Sequence, residues 1–242
     1  MIHALILGLV QGLTEFIPVS SSGHLIIVRE FLVIHGNDLA FDAILQLATI
    51  LAVLVYFWKD LWGLLYDWKK LKIIIIATIP AVVFGLLLEK YMETVFRNVL
   101  LVAIMLAVGS FIMLLSEYFS TKDKTLTLKN GFIIGLFQCL ALVPGMSRSG
   151  MTISGGLFIG LSREEATRFS FLLSFPIILG SGLKKLLDIP HVDASLSVAF
   201  IVSFIVGLGA IHFLIKFLKH HSLRLFAWYR ILLACFIVYW FV

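Results

Sequence analysis

The chain has 242 residues, of which 61% are hydrophobic and 14% charged, with a mean hydropathy of +1.07 and a formal charge of +5. Soluble domains are close to half apolar, so this composition excludes an ordinary water-soluble domain and indicates a polytopic membrane protein, with room for about six to eight passes. The modest positive charge is what the basic loops of a membrane protein supply and calls for no nucleic acid, while Cys139 and Cys235, both in apolar segments, define neither a disulfide framework nor a metal site.

The opening run MIHALILGLV lacks a basic region and a small-residue cleavage site, and is expected not to be a cleaved signal peptide. It begins a short apolar segment, about 2–17, followed by a polar knot, PVSSSGH at 18–24, and a second short segment, about 24–34. Segments long enough to span follow at roughly 41–58, 70–88 and 98–116. The pattern then restarts. A short segment at 130–143 leads into the knot PGMSRSG at 144–150, another short segment at 151–161, and spans at 166–183, 196–216 and 225–242. No linker or low-complexity tract interrupts the chain, so residues 1–242 are expected to form one membrane domain.

Short, Pro/Gly-interrupted segments at corresponding places in two halves signal an internal repeat with broken helices meeting near mid-membrane. A shift of 127 positions lays Gly8 on Gly135, Gln11 on Gln138, Ser20 on Ser147, Ser22 on Ser149 and Gly23 on Gly150 without a gap. Each half, about 1–120 and 121–242, then holds one re-entrant hairpin of two half-helices plus three full spans. Three is odd, so the halves enter from opposite sides. The expected fold is an all-α integral membrane protein built as an inverted repeat, with six spans and four half-helices. Lys59, Lys69, Lys70, Lys72, Lys122, Lys124, Lys129, Arg163, Arg168, Lys216, Lys219 and Arg224 collect on one side, and Arg29, Lys90, Arg97, Lys184 and Lys185 on the other. The positive-inside rule places the first set in the cytoplasm and both termini outside.

The knots carry the chemistry. Pro18 and Pro144 are expected to stop the incoming half-helices, and the serines that follow to cap the outgoing ones. Two helix N-termini converging at mid-membrane suit a multiply charged anion such as diphosphate. Gln11 and Glu15 share a helix face. An intramembrane carboxylate is costly and marks a functional site. His24 and the serines add an acid–base group and hydroxyls, and Arg148 a planar fork of donors for phosphate. Under the shift, Glu15 falls on Leu142, Ser21 on Arg148 and His24 on Met151. One knot therefore supplies carboxylate, imidazole and hydroxyls, and the other a cation with Ser147, Ser149 and Thr152. A nucleophile, a base and an anion clamp together read as phosphoryl transfer.

QGLTEFIPVSSSGH at 11–24 and PGMSRSGMTISGG at 144–156 closely resemble the two signatures of the bacterial undecaprenyl-pyrophosphate phosphatases of the bacitracin-resistance type, and the likeness extends to FDAILQLATILAVLVYFW (41–58), FQCLALVPG (137–145) and REEATRFSFLLSFP (163–176). The resemblance implies a plasma-membrane phosphatase that converts a polyprenyl diphosphate to its monophosphate for reuse in cell-wall synthesis. It also implies dependence on Mg²⁺ or Ca²⁺ and a site opening to the outer face. By position, Glu15 matches the family's essential glutamate and His24 its histidine. Ser21 matches the proposed nucleophile and Arg148 the phosphate-binding arginine. Ser147 and Thr152 flank that arginine in the same pattern, and Glu15 is a candidate metal ligand. Gln11 stands where many members have Glu, leaving Glu15 the only acid in the signature. Gln11, Ser20, Ser22, Ser147, Ser149 and Thr152 are the expected substrate-binding residues. Ser21, His24 and water all stay open as the nucleophile, and the sequence does not set the oligomeric state. The rival reading is a transporter or lipid flippase with an anion site at the repeat interface.

Overall fold

The computed structural model describes residues 1–34, 39–94, 98–121, 124–186 and 194–241, and these are helical with no strand among them. Lys122, Arg97 and Val242, and the side chain of Lys185, lie outside the described residues. In chain order the helices are α1 (Ile2–Thr14), α2 (Ser21–Phe31), α3 (Leu39–Tyr56), α4 (Trp58–Leu64), α5 (Trp68–Thr94), α6 (Val99–Phe119), α7 (Leu128–Leu140), α8 (Arg148–Phe158), α9 (Arg163–Leu186), α10 (Ala194–His220) and α11 (Arg224–Phe241).

Helix length separates two classes. α1 and α7 have 13 residues each, and α2 and α8 have 11. At 1.5 Å per residue they reach only about 16–20 Å, short of the ~30 Å hydrocarbon core. Among the described residues, five helical segments are long and apolar enough to cross: Trp68–Leu88, Val99–Phe119, Arg163–Lys184, Ala194–His220 and Arg224–Phe241. The expected sixth, 41–58, is different. α3 and α4 form a pair bent by 81° at Phe57, and count as one crossing only if taken together. Phe57 is buried, its ring 5.7 Å from that of Phe171 on α9. Burying that ring holds the break inward, while Trp58 and Trp62 of α4 are exposed.

The helix ends follow local capping chemistry. Asn98 accepts from the Leu100 and Leu101 N–H groups, and Thr127 from that of Asn130. Ser162 and Glu165 exchange bonds as a capping box. Ser20 and Ser147 cap α2 and α8 as expected. The prolines act otherwise than expected: α1 ends at Thr14 and α7 at Leu140, four residues before Pro18 and Pro144 respectively. Each proline thus lies within the turn that joins its two short helices, not at the helix end.

α3 packs on α9 in the interior. α10 lies against α1 and α3, α5 against α7 and α9, and α6 against α11 and α8. Hydrophobic burial does little to join helices in lipid, so small residues that allow close backbone approach do it instead. At Gly8 of α1 a Cβ would lie 2.6 Å from the Ala199 carbonyl oxygen, and at Gly135 of α7 it would lie 2.4 Å from that of Ala77. Large apolar side chains such as Leu86, Leu87, Leu232 and Trp240 point outward, which suits a lipid surround. Two ion pairs fasten the ends. Arg29 of α2 meets Asp42 of α3 at 2.5 Å. Arg163 grips the carboxylate of Glu117, which also accepts the Leu223 N–H at 2.8 Å, tying α6 to the starts of α9 and α11.

Candidate active site

The two knots close on each other in the interior. Ser20 and Ser147 hold them open with φ of 76° and 70°, a backbone region that side chains other than glycine rarely occupy and that marks functional turns. The Ser20 hydroxyl oxygen accepts from the Gly23 N–H at 3.4 Å and from the Gly145 N–H at 3.1 Å, so it caps α2 and ties the first knot to the second. Ser147 accepts from the Gly150 N–H at 3.2 Å and lies 3.3 Å from Ser149 Oγ. Ser149 reaches the Ile17 carbonyl at 3.5 Å. These serines are buried, with their hydroxyls committed to the turns. Each cap takes only the third N–H of its helix, leaving the earlier ones of the first turn to meet a ligand.

Glu15, the C-cap of α1, is the hub. Its Oε2 accepts from Ser21 Oγ at 2.5 Å and from Gln11 Nε2 at 3.0 Å, and its Oε1 pairs with Arg148 Nη2 at 3.1 Å. Glu15 is 7% exposed. A buried charge of this kind persists only with a full set of partners, and here one cation and two donors supply them. Arg148 also donates to the Ser170 carbonyl at 3.4 Å. Behind it, Thr152 bonds the Arg148 carbonyl at 2.8 Å and meets Ser170 Oγ at 2.6 Å. Phe16 and Phe171, the chain neighbours of Glu15 and Ser170, are fully buried and meet edge to face at 5.4 Å.

Two atoms of this layer have no partner among the described residues: Gln11 Oε1 and Arg148 Nε. Unpaired buried polar atoms are rare and call for an explanation. A ligand with both an anionic oxygen and a cation would satisfy them. Mg²⁺ and Ca²⁺ take hard oxygen donors, and Mg²⁺ is often held by one or two carboxylates together with substrate phosphate. Among the described residues no three His, Cys, Asp or Glu cluster as a self-sufficient metal site. Glu15 with the free Gln11 carbonyl therefore fits a cation that arrives with a phosphate ligand.

His24, four residues into α2, stands apart from this hub. Its Nδ1 is 2.8 Å from the Ser20 carbonyl and its Nε2 2.8 Å from the Tyr229 hydroxyl. Ser22, in the first turn of α2, is half-buried. The structure thus joins Gln11, Glu15, Ser21 and Arg148 directly, sets Thr152 behind Arg148, and uses Ser20, Ser147 and Ser149 to shape the turns.

Three participants escaped the sequence reading: Ser170, Tyr229 and Arg230. Arg230 is completely buried. Its guanidinium donates to the carbonyls of Gly145 at 2.8 Å, Met146 at 3.1 Å, Pro18 at 3.3 Å and Leu106 at 3.3 Å. It clamps both knots through their backbone. The available signal was an arginine inside the apolar segment 225–242, since an intramembrane charge marks function by default. Ser170 and Tyr229 carried no such signal.

The family model for bacitracin resistance protein BacA matches residues 4–236. An undecaprenyl-diphosphatase of Corynebacterium efficiens is 43% identical to this chain, covering 95% of it and 86% of that protein. Proteins of the same name from Moorella thermoacetica (41% identity, 98% and 97% coverage) and Caldicellulosiruptor bescii (44% identity, 98% and 96% coverage) are similar over almost their full lengths.

Proposed function

The chain belongs to the bacitracin resistance protein BacA family, and on that footing we propose how its two knots perform the family's reaction. The protein is an undecaprenyl-diphosphatase: a membrane phosphatase that hydrolyses undecaprenyl diphosphate to the monophosphate and inorganic phosphate, which returns the lipid carrier to cell-wall synthesis. The observation that carries the mechanism is the 2.5 Å bond from Ser21 Oγ to Glu15 Oε2, a nucleophile already seated on a base.

In this reading the diphosphate lies between the knots with its tail in lipid. Ser21 Oγ attacks the terminal phosphorus and passes its proton to Glu15. The bond between that phosphorus and the bridging oxygen breaks, and the lipid monophosphate leaves with the bonding electrons. Water then cleaves the phosphoserine, with His24 Nε2 accepting the water's proton and Glu15 returning its proton to the departing Ser21 oxygen, and phosphate departs. Arg148, with its unpaired Nε, and the first turns of α2 and α8 face the charge that spreads over the transferring oxygens. A Mg²⁺ or Ca²⁺ ion held by Glu15 and Gln11 Oε1 would supply further charge neutralisation there.

The inverted repeat is part of the same proposal. Paired helix lengths, matched positive-φ serine caps and the matched contacts of Gly8 with Ala199 and Gly135 with Ala77 support it. The Lys/Arg asymmetry supports termini and a site mouth on the outer face. A reporter fused after Val242 should read extracytoplasmic and one near Lys122 cytoplasmic, and the reverse pattern defeats that orientation. A transporter or flippase is not favoured, because a carrier has no need of a hydroxyl seated on a carboxylate.

The decisive assay is phosphate release from undecaprenyl diphosphate labelled at its terminal phosphate, using detergent-purified protein. Turnover by the wild type, a label trapped on protein after acid quench and loss of both in Ser21→Ala are expected. Full turnover by Ser21→Ala rejects the serine as nucleophile.

A further inference from the structure

Tyr229 comes from the far end of the chain, 205 residues from His24, and the mechanism above does not use it. The His24 ring is held from both sides. The Ser20 carbonyl can only accept, so Nδ1 carries hydrogen. In the neutral ring Nε2 then holds the lone pair, and the Tyr229 hydroxyl, 2.8 Å away, donates to it. The two rings lie within 10° of parallel with centroids 5.8 Å apart, so the contact orients the imidazole whose tautomer the Ser20 carbonyl sets.

The next residue explains how the tyrosine arrives there. Arg230 grips carbonyls of both knots and of α6, which fixes the height and rotation of α11. One residue back, about 100° around a helix of 3.6 residues per turn, Tyr229 is turned out of the core and is 45% exposed. Its hydroxyl is bonded inward to His24 while part of the side chain meets the surroundings of the protein.

We propose that Tyr229 is a positioning residue for the phosphatase reaction: its hydroxyl holds the ring of His24, whose Nδ1–H tautomer the Ser20 carbonyl sets, with Nε2 as the acid–base nitrogen, and stands between that nitrogen and the exterior. Before Nε2 takes the water's proton, the Tyr229 hydroxyl swings off its lone pair, and it returns once that proton has left. The tyrosine gains and loses no atom. The inference rests on His24 acting as acid–base group in the proposed reaction.

The test is a double-mutant cycle of Tyr229→Phe and His24→Gln in detergent-purified full-length protein, read as kcat and KM for undecaprenyl diphosphate. Tyr229→Phe keeps the ring and removes only the hydroxyl. It should lower kcat about 10–100-fold, the usual loss when an outer hydrogen bond that orients a functional imidazole is removed, with KM little changed. Combined with His24→Gln it should cost nothing more, because residues acting as one unit are not additive. Nitrogen NMR of ¹⁵N-histidine protein, with His24 assigned by its absence in His24→Gln, should show the Nε2 signal moved by loss of its hydrogen bond in Tyr229→Phe, with Nδ1 still protonated. Equal losses from Tyr229→Phe with and without His24, or a wild-type rate in Tyr229→Phe while His24→Gln is impaired, overturn the positioning role alone. Wild-type turnover by His24→Gln overturns the acid–base role of His24 and this inference with it. Absence of phosphate release from the wild type instead removes the proposed function.

Discussion

The first and second hairpins share a backbone and differ in almost every reactive side chain. α1 and α7 have the same length, as do α2 and α8, and both outgoing helices begin after a serine at positive φ whose hydroxyl accepts the N–H three residues on. Yet at the position of Glu15 the second hairpin has Leu142, at that of His24 it has Met151, and at that of Ser21 it has Arg148. Gln11 is bonded to Glu15, whereas Gln138, at the matching place and 2% exposed, has a partner for neither amide atom among the described residues. The backbone geometry that brings two helix N-termini together needs only glycines, prolines and capping serines. The proposed chemistry needs unlike groups, and the side chains put the Glu15 carboxylate and Ser21 hydroxyl on one hairpin and the Arg148 guanidinium on the other.

The contrast is broken most severely at Glu15. Glu15→Gln keeps the shape but removes the base and the partner of Arg148, and turnover should fall by roughly 10³, within the range for a positioned acid–base group. Phosphate release per folded molecule, with folding checked by gel filtration, measures it. A loss below ten-fold places the acid–base half elsewhere.

At Arg148 the contrast is between a clamp and a structural ion pair. Arg148→Lys retains charge but not the planar fork, and should insert normally while losing about 10² in turnover, the cost of one transition-state donor. Near-normal turnover reduces Arg148 to a counter-ion for Glu15.

The two glutamines sharpen the comparison at lower cost. Gln11→Ala should cost less activity than Glu15→Ala, and Gln11→Glu should keep most of it. A Gln11→Ala variant worse than Glu15→Ala removes Glu15 as the principal acid. Gln138→Leu should leave turnover unchanged. It should also raise the detergent melting temperature by a few degrees, since an unpartnered buried amide costs about 1–3 kcal/mol and each kcal/mol shifts Tm by about 2–4 °C at this size. A marked loss of phosphate release in that variant gives Gln138 a role in the site.

Much of this was written locally. Run length separated spanning from half-length helices, and glycine, proline and serine marked the two knots. The Ser20 and Ser147 caps depend on neighbours three residues away. Gln11 and Glu15 meet because a helix brings i and i+4 together. Bringing Glu15 together with Ser21 and Arg148 was legible because all three lie in or beside those knots. The tertiary structure alone decided the rest: that Ser21 seats on Glu15 while His24 turns away to Tyr229, that α3 breaks at Phe57, that Ser170 backs Arg148 and Thr152, and that Arg230 clamps both turns. The physical reason is the same in each case. In a chain that is 61% hydrophobic, apolar residues lie on every face of a spanning helix and no periodicity says which face turns inward, so partners separated by a hundred or more residues are chosen by packing and by the need of buried polar groups to find one another.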